Sequence, residues 1–156
     1  MMLVILAAAF IVITLCCEWT DCLTLTNGEN GCVIAVYPME EGERFSVGFV
    51  HSVNRSPVID VYEVRSDGIY VMETIYYGFG AGVQTEIEPG QTLSYGDDGE
   101  MIVSGFDLKI PTLSYIVGTV SDHTLTIGDT EISLRDLCGR NCQVVFGYQK
   151  RLVWQP

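Results

Sequence analysis

Positive charge is scarce in this chain. Its 156 residues hold 8 Lys and Arg against 20 Asp and Glu, a net charge of -12. A surface this acidic repels phosphate backbones, which argues against a nucleic-acid partner, and it disfavours adhesion to an anionic membrane surface. The acids are scattered, so they read as solubility rather than as a polyanionic tail. Histidine is limited to two residues, His51 and His123. No helical periodicity of useful length appears after the first seventeen residues. No nucleophile-elbow pattern exists, so a serine hydrolase lacks its usual strand-to-helix turn. The cysteines do not fall into paired Cys-x-x-Cys knuckles, which removes the commonest structural zinc site.

Charge of either sign is absent from residues 1–17, which are almost wholly apolar; every acid and base lies at or beyond Glu18. A secretory leader has a basic start and a small-residue cleavage site. Neither is present, because the first basic residue is Arg44. A spanning helix takes about 17–25 apolar residues, and Trp19 beyond the run suits an interfacial anchor. An uncleaved N-terminal helix is therefore expected, with a cleaved signal as the other reading. Lipidation at Cys16 or Cys17 fits poorly, since neither comes after a small residue.

Four cysteines lie beyond that segment: Cys22, Cys32, Cys138 and Cys142. In an exported domain an even set suggests disulfides. Four cysteines permit three pairings, and the two local ones, Cys22 with Cys32 and Cys138 with Cys142, are favoured here.

From Leu23 onward the chain is a run of short alternating stretches rich in Val, Ile, Tyr, Thr and Phe, separated by Gly, Asp, Asn or Pro. Ser66-Asp67-Gly68, Asp97-Asp98-Gly99 and Gly128-Asp129 mark tight hairpins, where positive φ is needed. Roughly ten short strands are expected, with one turn of helix near 135–138. The expected fold class is all-β: a single antiparallel β-sandwich or partly closed barrel, preceded by one N-terminal apolar helix. The expected division is 1–19 as anchor or signal, 20–32 as tether and 33–156 as the extracytoplasmic β domain.

The densest polar stretch is His51-Ser52-Val53-Asn54-Arg55-Ser56-Pro57-Val58, between two strand-like runs. The bland reading is a strand connection whose Ser and Asn side chains cap their own backbone. The functional reading is a polar wall: His51 can donate or accept a proton, Arg55 can fork onto a carboxylate or phosphate, and Ser52 and Ser56 can orient an anion. His51 and Ser52 are adjacent in an extended chain and point to opposite faces, so they are poorly placed as a catalytic dyad. The second notable stretch, around Gly78, Gly80, Ala81 and Gly82, implies a sharp bend or a close approach of backbone to another group. No helix comes after it, which weakens a phosphate-cradle reading. His123, in another strand connection, could join His51 and Asp60, Glu63 or Asp122 on a metal, although two histidines without characteristic spacing are weak evidence.

At these stretches the chain resembles the domain-of-unknown-function 1850 family of small exported proteins. The resemblance rests on His51-Ser52-Val53, Ser56-Pro57-Val58, Asp60, Gly80-Ala81-Gly82 and His123-Thr124-Leu125, and it spans most of the chain beyond Val33. Asn54 stands where the family pattern has an acid, and Asp60 where it has Glu. The resemblance implies an exported β domain associated with TRAP-type solute transporters, particularly those with TAXI-type receptors. It implies no established activity and no cofactor.

The expected function is that of a non-catalytic accessory or ligand-binding module of a TRAP-type transport system. It would be held on the outer side of the cell membrane, with transporter subunits as partners. Its site is expected at His51, Ser52, Arg55, Ser56, Gly80, Ala81, Gly82 and His123. The alternatives are a metal-dependent hydrolase using His51 and His123, and a purely structural or assembly protein.

Overall fold

The computed structural model describes residues 17–53, 55–78, 84 and 86–154. The expected N-terminal helix, Asn54, Gly80, Ala81 and Gly82 lie outside the described residues. Among the described residues no helix is long and apolar enough to cross a membrane.

The chain forms two antiparallel sheets and no closed barrel. The strands are β1 (Cys17–Asn27), β2 (Val33–Pro38), β3 (Arg44–Val50), β4 (Pro57–Arg65), β5 (Gly68–Tyr76) and β6 (Thr92–Tyr95), then β7 (Met101–Ile110), β8 (Leu113–Ile116), β9 (His123–Ile127), β10 (Thr130–Ser133) and β11 (Gln143–Trp154). A one-turn helix, α1 (Leu134–Cys138), precedes β11. The smaller sheet runs β2-β1-β11-β8 and the larger β10-β9-β3-β4-β5-β7-β6.

Alternation decides which face each strand buries. Phe45 and Val47 of β3, Tyr62 and Val64 of β4 and Leu125 of β9 meet Leu23 and Leu25 of β1 and Val144 and Phe146 of β11 in one core. Phe45 stacks on both Tyr62 and Phe146, linking the two sheets. Each fully buried side chain of this size contributes on the order of 1.5–3 kcal/mol. A smaller cluster of Val58, Tyr76, Met101 and Val103 extends the apolar face beneath β4, β5 and β7, with Phe49 packed against it.

The three expected hairpins form where the Gly and Asp signals lie, at β4–β5, β6–β7 and β9–β10. The stretch expected to be a tether differs. Residues 17–27 are strand β1, held along its whole length by β11. The reason is visible in its alternation: Leu23 and Leu25 are fully buried in the core. β11 likewise runs six residues past its expected end at Tyr148.

The strand register also revises the cysteine pairing. Cys22 lies opposite Pro38, whereas Cys32 sits at the other end of the β1–β2 hairpin, where its carbonyl accepts from the Asn27 amide. Five strand residues from Cys22 to Asn27 span about 17 Å, well past the ~7 Å at which two Cα atoms can still be bridged. A Cys22–Cys32 bond is thus incompatible with this fold. Cys138 and Cys142 do come together, as free thiols.

Candidate functional site

The two histidines meet at one end of the sandwich because β3 pairs with β9. The last pair of that ladder sets Phe49 opposite His123. His123 stacks on Phe49 with ring centroids 5.2 Å apart, and Tyr115 of β8 tilts against the same imidazole at 5.6 Å. His51 lies two residues beyond Phe49, at the mouth of the same end.

Between them is a cleft of about 310 Å³. Phe49, Val50, His51 and Ser52 line one side, and residues 118–121 with His123 line the other. A shallower hollow of about 250 Å³ lies near the same end, on the far side of the larger sheet, where Gly48 leaves room between Ser46 and Thr124. Asp122 and Glu131 are its acids, and both oxygens of Asp122 are already engaged by the chain.

The loop carrying His51 is closed by its own backbone. The His51 amide donates to the Ser56 carbonyl at 3.0 Å and the Arg55 amide to the His51 carbonyl at 2.8 Å. That turn sets Arg55 at φ +53°, a conformation a non-glycine residue adopts only when its surroundings hold it there. Within the turn the Val53 amide donates to Nδ1 of His51 at 3.3 Å. Ser52 and Arg55 are exposed and Ser56 is half-buried. The Ser56 side chain lies so near Gly78 that a Cβ there would come within 3.1 Å of it. Of the expected polar wall, then, His51 and Ser52 line the cleft with His123, and Arg55 and Ser56 do not.

The opposite wall is fixed from beneath. Asp122 accepts from the His123 amide at 2.7 Å, from the Arg135 amide at 3.1 Å and from the Ser133 hydroxyl. Burial works to raise the Asp122 pKa, but these hydrogen bonds outweigh it and hold the carboxyl below its ordinary value. The Arg135 guanidinium donates to the carbonyls of Gly118 and Val120, at 3.0 and 3.1 Å. Its Nε is buried with no partner among the described residues. Gly118 admits no side chain, since a Cβ would collide with the Ser121 carbonyl oxygen. The Gly118 amide in turn donates to Nδ1 of His123 at 3.3 Å.

Both imidazoles therefore accept a main-chain N–H at Nδ1. A neutral ring that accepts there carries its proton on Nε2. Burial holds His123 below the ordinary imidazole pKa, which favours that neutral form. The two rings that line the cleft thus each keep an Nε2–H donor, beside hydroxyl-bearing Ser52, Thr119 and Ser121. Metal ligation through Nε2 would need Nδ1 to be a donor, the opposite arrangement. No cluster of three His, Cys, Asp or Glu that could hold a metal forms among the described residues. Glu63 is instead paired with Arg44 and Arg65.

Behind the aromatic floor lies a polar network that composition and spacing do not reveal. Asp60 accepts from Tyr115 at 2.7 Å and from Thr74 at 2.8 Å, and the Tyr115 hydroxyl also bonds that of Tyr62. Burial, reinforced by the Asp60 charge, raises the pKa of both tyrosines and keeps their protons in place. Tyr115 thereby ties an inward-facing carboxylate of the larger sheet to the smaller sheet, directly beside His123. Tyr62, Tyr115 and Arg135 carried no signal as site residues, because their roles arise only when the two sheets pack.

No curated protein and no solved structure matches the chain. The profile of the family described as domain of unknown function (DUF1850) matches residues 45–134, from β3 to the start of α1, and takes in both histidines, Asp60, Tyr115 and Asp122. With more than half its length matched, the chain belongs to the DUF1850 family.

Proposed function

We propose that this protein is a non-catalytic recognition module on the outer side of the cell membrane, binding a small carboxylate-bearing solute in the His51–His123 cleft in support of a TRAP-type transport system. The observation that carries the ligand class is the pair of imidazoles whose Nδ1 atoms accept main-chain N–H groups. Their remaining polar function is to donate, and the matching ligand is an acceptor. The Arg135 guanidinium, bonded to the carbonyls of the cleft loop, adds positive charge behind that wall. The Asp122 carboxylate offsets that charge, so the cleft favours an acceptor through its donors rather than through net charge. The transporter connection rests on the family resemblance. The non-catalytic reading is supported by what meets Nδ1 of each histidine among the described residues, a main-chain N–H rather than the acid that orients and charge-balances the imidazole of an acyl-transfer dyad.

The test is solute uptake in cells that carry the neighbouring transporter, comparing the native chain with a His51→Ala, His123→Asn variant. The reading expects uptake to fall at least several-fold while the variant is still exported, folded and recovered with the transporter subunits. Unchanged uptake would overturn it. So would failure of the native protein to co-purify with any transporter subunit from its own membranes.

A further inference from the structure

The β1–β11 ladder outruns its sheet. β2 pairs only with residues 22–26 of β1, and β8 only with residues 143–146 of β11. Beyond them, residues 17–20 and 151–154 pair with each other alone and extend the two strands as a ribbon about 14 Å long. The register is unbroken along the whole ladder, so one face runs its length, with the Asp21–Lys150 ion pair lying across it between the core and the outer end. Trp19 pairs with Leu152, Cys17 with Trp154, Leu23 with Tyr148 and Leu25 with Phe146. The face that buries Leu23, Leu25, Val144 and Phe146 in the core thus continues outward as Trp19, Leu152 and Trp154. Out there no described residue covers it: these three side chains are 69%, 54% and 55% exposed.

Large apolar side chains gathered on an uncovered strand face mark a surface that meets something other than water. These two are the only tryptophans in the chain, and an indole, with an apolar body and one N–H, suits the level where lipid headgroups meet acyl chains. Charge agrees. Glu18 and Asp21 are matched by Lys150 and Arg151, so this end of the ladder is neutral on a chain that carries -12 elsewhere. Lys150 is paired with Asp21 at 3.1 Å. A neutral surface is repelled less by anionic headgroups than an acidic one. Sequence continuity names the occupant: the uncharged, almost wholly apolar run of residues 1–16 leads directly into Cys17, the first residue of the ribbon.

We infer that the β1–β11 ribbon is a membrane-seating surface, with Trp19, Leu152 and Trp154 resting at the headgroup level of a lipid bilayer. A ribbon fixed there would hold the sandwich at a set height and tilt over the membrane, which a flexible tether would not. The inference is independent of what the cleft binds.

Trp154 makes it testable, because sequence does not place it near the apolar segment; only the fold does. The full chain with Trp19→Phe, a change at an exposed position that keeps an aromatic ring, leaves Trp154 as its sole tryptophan. This variant is reconstituted into vesicles of phosphatidylcholine and phosphatidylglycerol. Its emission is read with nitroxide-labelled lipids and, separately, with aqueous iodide. Nitroxide at the headgroup level should roughly halve Trp154 emission, and iodide should have little effect. Emission quenched by iodide but not by nitroxide lipid puts the ribbon in water and overturns the inference. Emission shielded from both overturns it as well, and assigns the face to a second copy of the chain. Leu152→Ser in the same background should weaken the nitroxide effect; an unchanged effect would remove Leu152 from the surface.

Discussion

His123 ties three segments of the candidate site together. Its ring is stacked on Phe49, tilted against Tyr115 and bonded through Nδ1 to the Gly118 amide. Burial depresses its pKa, while the nearby Asp122 charge only partly offsets that. The consequence for stability has a definite sign. The unfolded chain takes up a proton near the ordinary imidazole value of 6.5, whereas the folded chain resists it. The contribution is therefore fully present above that value and is lost as pH falls through it towards the lower folded value. Asp122 acts in the same sense, but only in the acid range below 3.8. Replacing His123 with Asn keeps an acceptor close to the place of Nδ1 and removes the titration. Urea midpoints between about pH 7.5 and about pH 5.5 should fall for the native chain and fall distinctly less for His123→Asn. Parallel falls would assign the acid sensitivity elsewhere.

At the scale of elements, the turn chemistry was legible and the strand ends were not. Ser66-Asp67, Asp97-Asp98-Gly99 and Gly128-Asp129 each join the two strands that their flanking alternation delimits. β1 was obscured because its apolar positions, Leu23 and Leu25, sit between an uncharged segment and two Asn-Gly turn signals, a context that reads as a tether. β11 was cut short because Gln149, Lys150 and Arg151 interrupt its apolar alternation, although the ladder with β1 continues through them. The cysteines obey the same logic. The Cys138–Cys142 spacing is local and survives folding, while that of Cys22 and Cys32 is undone by the register of one hairpin. α1 ends at Gly139, whose φ of +86° turns the chain, and the Asn141 amide and Cys142 carbonyl then bond Val117, the residue before the cleft loop. Burial, aided by the adjoining Cys142 thiol, pushes the Cys138 thiol up to about 12. So high a value leaves Cys138 a poor thiolate. Peptide mapping of protein oxidised with glutathione should find a Cys138–Cys142 link and no Cys22–Cys32 link. Closing so short a loop stabilises by about 2 kcal/mol if unstrained, which a lower urea midpoint after reduction would register. A mapped Cys22–Cys32 bond would contradict the β1–β2 register itself.

Across the whole molecule, an all-β chain of short antiparallel strands was legible from period and punctuation alone, while the choice between a sandwich and a partly closed barrel was settled only by the sheet topology. The site was legible only in pieces. His51 and His123 stood out because the chain has no other histidine, but their approach depends on the β3–β9 pairing, which joins segments far apart in the chain. Arg55 and Ser56 shared His51's loop yet not its direction, since the turn that closes on the Ser56 carbonyl carries them away from the cleft. The scarcity of histidine makes the central claim directly measurable. With the histidine side chains labelled with nitrogen-15, long-range proton–nitrogen spectra of the full chain report on the cleft and on nothing else. The spectra should show both rings protonated at Nε2 near neutral pH, and titration with succinate and other small carboxylates should shift both Nε2 signals along one saturable curve. Rings protonated at Nδ1, or Nε2 signals that stay still across the whole carboxylate series, would contradict the account.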